Sequence, residues 1–86
     1  MNVATAGTFE SNDCIITVKP YKGIKIEIES IVFEQFGDQI HRVIMDTLRE
    51  MKVEHMHVMV NDKGALDYCI KARLVTALRR LGDQNA

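Results

Sequence analysis

Eighty-six residues bound this protein to one small domain, and at that length folding buries only ~60–65% of the surface the unfolded chain exposes. Hydrophobic residues at 47% and charged residues at 27% fall in the globular range and exclude the disordered and membrane classes, while a net charge of −1 gives no global attraction to nucleic acid or an anionic membrane. The apolar runs are short and the start of the chain lacks a basic segment followed by an apolar core, so the expected location is the cytoplasm.

In chain order, residues 1–10 have little to pack and read as a flexible leader. It runs into Ser11-Asn12-Asp13, a turn signal, because these short polar side chains bond their own backbone. Ile15, Ile16, Thr17 and Val18 form a β-branched run that suits a strand, stopped by Pro20 and turned through Gly23. Residues 24–29 alternate, with Ile24, Ile26 and Ile28 on one face and Lys25, Glu27 and Glu29 on the other, so the two strands are expected to pair as a hairpin. Ile31-Val32-Phe33 fits either a strand extension or a helix start. From Asp38, the expected N-cap, Ile40, Val43, Ile44, Leu48 and Met51 recur at helical spacing over about four turns, with Phe36 packing at the start and His41, Arg42, Asp46, Arg49 and Glu50 facing water.

Met56, Val58 and Val60 alternate with His55, His57 and Met59 as a third strand, and residues 61–64 turn the chain. Leu66, Cys69, Ile70, Leu74, Ala77 and Leu81 then share one face of a second helix, with Gly82 as its stop and residues 83–86 as a frayed tail. The expected fold is a single α+β domain over residues 1–86, in the order β-β-α-β-α, with a mostly antiparallel three-stranded sheet and both helices on one face.

Few residues suggest chemistry. His55 and His57 point to one side of a strand, but two ligands are too few for a metal, and a solvated strand face is the stronger reading. Cys14 and Cys69, a lone and widely separated pair, read as free buried thiols rather than a disulfide or zinc site. No glycine-flanked nucleophile elbow or phosphate-cradling loop is present, and the acids beside Ser11, Glu10 and Asp13, are as well explained by surface exposure as by catalysis. A non-catalytic role follows. Arg73 interrupts the apolar stripe of the last helix. Its stem can line the core edge while its head reaches water or a nearby carboxylate, the favoured reading, or its planar fork can grip a phosphate or carboxylate through two parallel bonds. Lys71, Arg79 and Arg80 make this helix basic, which suits an acidic partner and is also ordinary near a helix end.

Three separated stretches carry a resemblance: Ala6-Gly7-Thr8-Phe9-Glu10-Ser11-Asn12-Asp13, Gln35-Phe36-Gly37-Asp38 and Asp62-Lys63-Gly64-Ala65-Leu66-Asp67. Together they resemble the acyl carrier (gamma) subunit family of bacterial citrate lyase, over residues 6 to about 78. The resemblance implies that Ser11 is the attachment point of a phosphodiester-linked phosphoribosyl dephospho-coenzyme A arm, a group of the 2'-(5''-triphosphoribosyl)-3'-dephospho-CoA type. The arm's own thiol, not Cys14 or Cys69, would carry acetyl or citryl as a thioester, whose carbonyl accepts the charge that a free carboxylate cannot when the neighbouring carbon–carbon bond breaks. Implied partners are the citrate lyase alpha subunit (acyl-carrier transferase), the beta subunit (citryl-carrier lyase) and a prosthetic-group transferase, with no nucleic acid, membrane or metal. Lys63, Asp67 and Arg73 match family positions and are expected to contact the arm or a neighbouring subunit. The related carrier subunit of malonate decarboxylase is the near alternative. Residues read without any family favour an unmodified protein-interaction module, and RNA binding by the last helix is disfavoured by balanced charge and scarce strand aromatics.

Overall fold

The computed structural model describes residues 2–84. Its elements are β1 (Ala4–Gly7), β2 (Cys14–Lys19), β3 (Ile24–Ser30), α1 (Phe33–Glu50), β4 (Met56–Asp62) and α2 (Asp67–Gln84). The α+β class holds, with one core cluster joining the inner face of the sheet to both helices. Along β2, Cys14, Ile16 and Val18 are buried and their neighbours are not, the period-2 pattern of a strand with one face on the core. Val58 and Val60 of β4 join them, against Ile40, Ile44 and Leu48 of α1 and Ile70, Leu74, Ala77 and Leu81 of α2. No described helix is long and apolar enough to cross a membrane.

The sheet differs from the expectation in strand number and pairing. It has four strands in the order β1-β2-β4-β3, and β2 and β3 do not form a hairpin: β4 lies between them. β4 runs antiparallel to β2 and parallel to β3. The helix α1 supplies the crossover that a parallel neighbour requires, which a two-strand reading of residues 14–29 cannot reveal. Placing β3 at the edge suits its sequence, because Lys25, Glu27 and Glu29 stay exposed and blunt edge-to-edge association.

The flexible leader is also corrected. Residues 4–7 pair with β2, Ala4 opposite Val18 and Gly7 opposite Ile15, and Ala4 and Ala6 are buried. Small side chains are what this position permits, since α2 lies directly over it. Arg80 Nη1 donates to the Thr5 carbonyl at 2.7 Å and Gln84 Nε2 to the Val3 carbonyl at 2.9 Å. These bonds explain why α2 continues through Gly82 to Gln84 where a stop was expected: docking on β1 outweighs the helix cost of one glycine, about 1 kcal/mol. Of the expected frayed tail, residues 83 and 84 are helical and 85–86 lie outside the described residues.

Helix α1 starts five residues before the expected cap, so Asp38 is an exposed residue inside it. The early start follows from Ser30, whose Oγ accepts the Val32 amide at 3.1 Å, after which Gln35 and Phe36 donate to the Val32 carbonyl. Gly37 is buried because the Phe33 ring lies over it, 3.0 Å from where a Cβ would stand. The helix ends where Lys52 turns to φ +57 and Val53 donates back to the Leu48 carbonyl.

Candidate functional site

The segment joining β1 to β2, residues 8–13, is shaped by bonds from its own Thr8 and Asp13 side chains and by partners elsewhere in the fold. Gly7 leaves β1 at φ +115, and any Cβ there would overlap the Cys14 carbonyl, so the residue must be glycine. Thr8 Oγ1 accepts the Glu10 amide at 3.2 Å and donates to Asp13 Oδ2 at 2.7 Å. A tight turn closes with the Asp13 amide on the Glu10 carbonyl at 3.2 Å, and Asn12 inside it takes φ +65, a left-handed conformation that asparagine tolerates well. Ser11 stands at the apex of this turn. It is exposed, and its hydroxyl has no hydrogen-bond partner among the described residues.

Asp13 holds the base of the loop. Arg73 grips its carboxylate in a two-bond fork, Nε to Oδ1 at 3.0 Å and Nη2 to Oδ2 at 2.7 Å, and the Cys14 amide adds a bond to Oδ1 at 2.7 Å. Of the two readings of Arg73, the head meets a nearby carboxylate, as the first has it, through the paired bonds of the second. Arg73, then Thr8 and the Cys14 amide, hold the Asp13 carboxyl well below the usual carboxylate range, and the same pairing raises Arg73. Asp13 read from sequence as a surface acid; what reveals its role is the arginine sixty residues away in the chain.

A second carboxylate, Asp62, belongs in the sequence to a turn and to one of the three resemblance stretches, and in the structure it is a buried anchor. Cys14, Asp62 and Ser30 stand side by side across β2, β4 and β3. Asp62 is 1% exposed and accepts three bonds: Ser30 Oγ at 2.7 Å, the Gly64 amide at 3.1 Å and the Ala65 amide at 2.9 Å. These fix the segment between β4 and α2, and that segment in turn straps the Ser11 loop. The Asn12 amide donates to the Lys63 carbonyl, and the Lys63 amide to the Asp13 carbonyl, both at 2.9 Å. The chain from Ser30 through Asp62 and Lys63 to Asn12 thus locates Ser11 against the end of the sheet.

Of the other expected residues, Lys63 enters this strap through its backbone, and Asp67, exposed at the first turn of α2, accepts two bonds from Gln39 Nε2 at 3.0 and 2.9 Å. Cys14 and Cys69 are free thiols, the first buried and the second half-buried. Their sulfurs and an Asp13 oxygen lie within 4.8 Å of one another. Metal binding is opposed there, because Arg73 already occupies the carboxylate and both thiols are held protonated. Burial first, then the neighbouring charges, push Cys14 up to about 12, and burial followed by Asp13 raises Cys69. His55 and His57 part company: His55 Nδ1 accepts the Gly23 amide at 2.9 Å, whereas His57 is buried beside the Tyr21 ring. His57 Nε2 lies 3.3 Å from Glu27 Oε1, within ion-pair range but without the geometry of a hydrogen bond.

Beside the strap, at the ends of the parallel strands β3 and β4, a cleft of about 440 Å³ opens between the first turns of α1 and α2. Phe36, Ile40, Leu66 and Tyr68 line it, with Gln39 and Asp67 as polar members. Leu66, expected on the buried face of α2, lies outside that helix and is 61% exposed here.

Comparison with known proteins agrees with this architecture. A family model described as the malonate decarboxylase delta subunit matches residues 1–81. The citrate lyase acyl carrier protein of Halothermothrix orenii is 53% identical over 78 residues, covering 90% of this chain and 83% of that one. Its counterpart in Fusobacterium nucleatum is 46% identical over 85 residues, covering 96% and 90%. A chain in the crystal structure of a Pseudomonas malonate decarboxylase hetero-tetramer in complex with malonate shares the fold with a TM-score of 0.81 at 15% identity, over 93% of this chain and 84% of that chain.

Proposed function

This chain belongs to the family of citrate lyase and malonate decarboxylase acyl carrier subunits, and on that premise we propose that Ser11 bears the acyl-carrying arm of a citrate lyase. The chain itself is a carrier and not an enzyme. The observation that supports Ser11 is its setting: an exposed hydroxyl without a partner among the described residues, at the apex of a turn fixed on both sides by Asp13–Arg73 and by the Lys63 strap. A modifying enzyme needs that reach, and an arm needs a firm root. The oxygen of Ser11 would give up its proton and displace pyrophosphate from a triphosphoribosyl dephospho-coenzyme A donor, forming the phosphodiester to the phosphoribosyl group; the attached group supplies a thiol for thioester chemistry.

The residues suit this group. Nothing in the loop competes for the Ser11 hydroxyl, and the native thiols, Cys14 buried and Cys69 half-buried, are both held towards the protonated form, so neither rivals the arm's own sulfur. The partners in this reading are an acyl-carrier transferase subunit, a citryl-carrier lyase subunit and the enzyme that loads the arm. A tethered acyl group reaches both active sites at millimolar effective concentration, which is the advantage of a carrier over a free thioester. Relatives at 46–53% identity named for citrate lyase favour that system over the malonate one.

The test is intact mass and peptide mapping of protein from its native host, or co-produced with the loading enzymes. A dephospho-coenzyme A adduct on the Ser11 peptide is expected, and Ser11→Ala should fold normally, stay bare and support no acyl transfer. An unmodified mass under loading conditions, or acyl transfer by the variant, would overturn the proposal. Incubating loaded protein with its partner subunits and either citrate or malonate, then reading the acyl group, separates the two systems.

A further inference from the structure

We propose that the cleft between the first turns of α1 and α2 is a resting site for the adenine ring of the arm rooted at Ser11. This rests on the attachment proposed above. The core does not require the lining of this cleft: Phe36, Leu66 and Tyr68 are 47%, 61% and 74% exposed. Its volume, about 440 Å³, falls within the range of small-molecule sites, and apolar walls with a few polar groups are what such sites share. It also sits at the ends of the two parallel strands, where ligands of open α/β sheets collect.

Three observations assign the occupant. The first is proximity: Asn12 Oδ1 and Ile31 Cδ1 stand 3.7 and 3.8 Å from the point where a Cβ on Gly64 would be, and Gly64 is part of the cleft wall. Ser11 is one residue from Asn12, a step of about 3.8 Å along the backbone, which puts the root of the arm within roughly 12 Å of Gly64, a span that the arm covers. Next is charge. None of the described lining residues is basic and two are acidic, which turns phosphates away and leaves the uncharged portions of the arm as candidates. Finally, the lining has two aromatic rings, Phe36 and Tyr68, and a Gln39–Asp67 pair with a donor amide and an acceptor carboxylate. A flat base carrying an exocyclic amine and ring nitrogens matches both, by stacking and by exchanging the Gln39–Asp67 bonds for its own.

The tether makes weak affinity sufficient. At a millimolar effective concentration, an intrinsic dissociation constant near 1 mM gives about half occupancy. The arm would then exchange between a stowed position and one free to enter a partner's active site, which is the property a shuttling carrier needs.

Backbone amide NMR of bare and loaded protein tests this, with loading verified by mass. Expected are shifts at Phe36, Gln39, Leu66 and Tyr68 in addition to the loop 8–13. Tyr68→Ala should weaken the contact roughly tenfold and remove most of the shift at Gln39 and Phe36. Bare protein titrated with dephospho-CoA should show the same cleft shifts at millimolar concentrations, and pantetheine, which lacks the base, should not. Shifts confined to 8–13 in protein shown to carry the adduct would overturn the stowing site and leave the attachment intact. Equal response to pantetheine would overturn the assignment to adenine. Cleft shifts that appear only when the large subunits are added would make the cleft a partner surface instead. Should no adduct form on Ser11, the attachment fails, and the dephospho-CoA titration alone decides the cleft.

Discussion

Asp62 is the residue whose removal the structure allows to be worked through most fully. It is buried to 1% exposure at the end of β4 and accepts bonds from Ser30 Oγ, the Gly64 amide and the Ala65 amide. In Asp62→Asn the single remaining oxygen can keep the Ser30 and Gly64 donors at the Oδ2 position, but its NH2 then faces the Ala65 N–H, donor against donor. Losing that bond and leaving two buried donors opposed costs about 2–3 kcal/mol. Asp62→Ala removes all three acceptor contacts and strands two amides, about 3–5 kcal/mol. Against a total stability of ~5–15 kcal/mol for a native protein these are large fractions. With ~4–8 °C per kcal/mol at this chain length, Asp62→Asn should lower Tm by about 10–20 °C. Urea or thermal denaturation followed by circular dichroism reads the stability, and hydrogen exchange reads its location. The amides of Gly64, Ala65, Lys63 and Asn12 should lose protection together, because the strap on the Ser11 loop hangs from Asp62. An Asp62→Ala protein melting within about 2 °C of wild type would refute the energetic reasoning. A destabilised variant that kept Asn12 and Lys63 protected would refute the claim that this carboxylate locates the loop.

The remaining predictions are simpler. Asp13 is held below its ordinary value near 3.8 by Arg73, so its stabilisation is fully present above that value and fades as pH falls through the folded one. Asp13→Asn should therefore be less stable at neutral pH and lose less on acidification below about pH 4 than wild type; a constant difference down to about pH 2 would contradict the pairing. Gly7→Ala should cost at least ~2 kcal/mol by urea denaturation, from left-handed strain and overlap with the Cys14 carbonyl, whereas Gly23→Ala, at φ +88 with open space around it, should show only the strain of about 1 kcal/mol. Equal costs would refute the role given to the close approach. With its thiol pushed up to about 12, native Cys14 holds roughly a thousandfold less thiolate near pH 8 than an ordinary cysteine, so a colourimetric thiol reagent should label Cys69 slowly and Cys14 only on unfolding. Rapid labelling of both in the native protein would show that the sheet end is open.

Local patterns along the chain carried the periodic elements. Alternation in β2 and β3 and the helical spacing of Ile40, Ile44, Leu48, Ile70, Leu74 and Leu81 identify core faces directly, because burial must follow the repeat of the backbone. The three short stretches around Ser11, Gln35 and Asp62 likewise sufficed to recognise the family, since they are read without folding the chain. What escaped were features that exist only between distant residues. Ala4 and Ala6 read as loose because small side chains promise little burial, and only α2 lying across β1 makes smallness the requirement. The insertion of β4 between β2 and β3 is a long-range pairing, with no local signal in either strand. Asp13 and Asp62 are indistinguishable from turn acids until Arg73 and the Ser30, Gly64 and Ala65 donors converge on them. The cleft, too, is a gap between two helix starts and belongs to neither segment. Sequence alone therefore determined five of the six elements in outline, most of their core faces and the serine worth testing, because these follow from backbone period and contiguous motif. Tertiary structure decided the strand order, the anchoring carboxylates and the cleft beside Ser11, because a hydrogen bond or a cavity is a relation in space that residues far apart in the chain acquire only when folding brings them together.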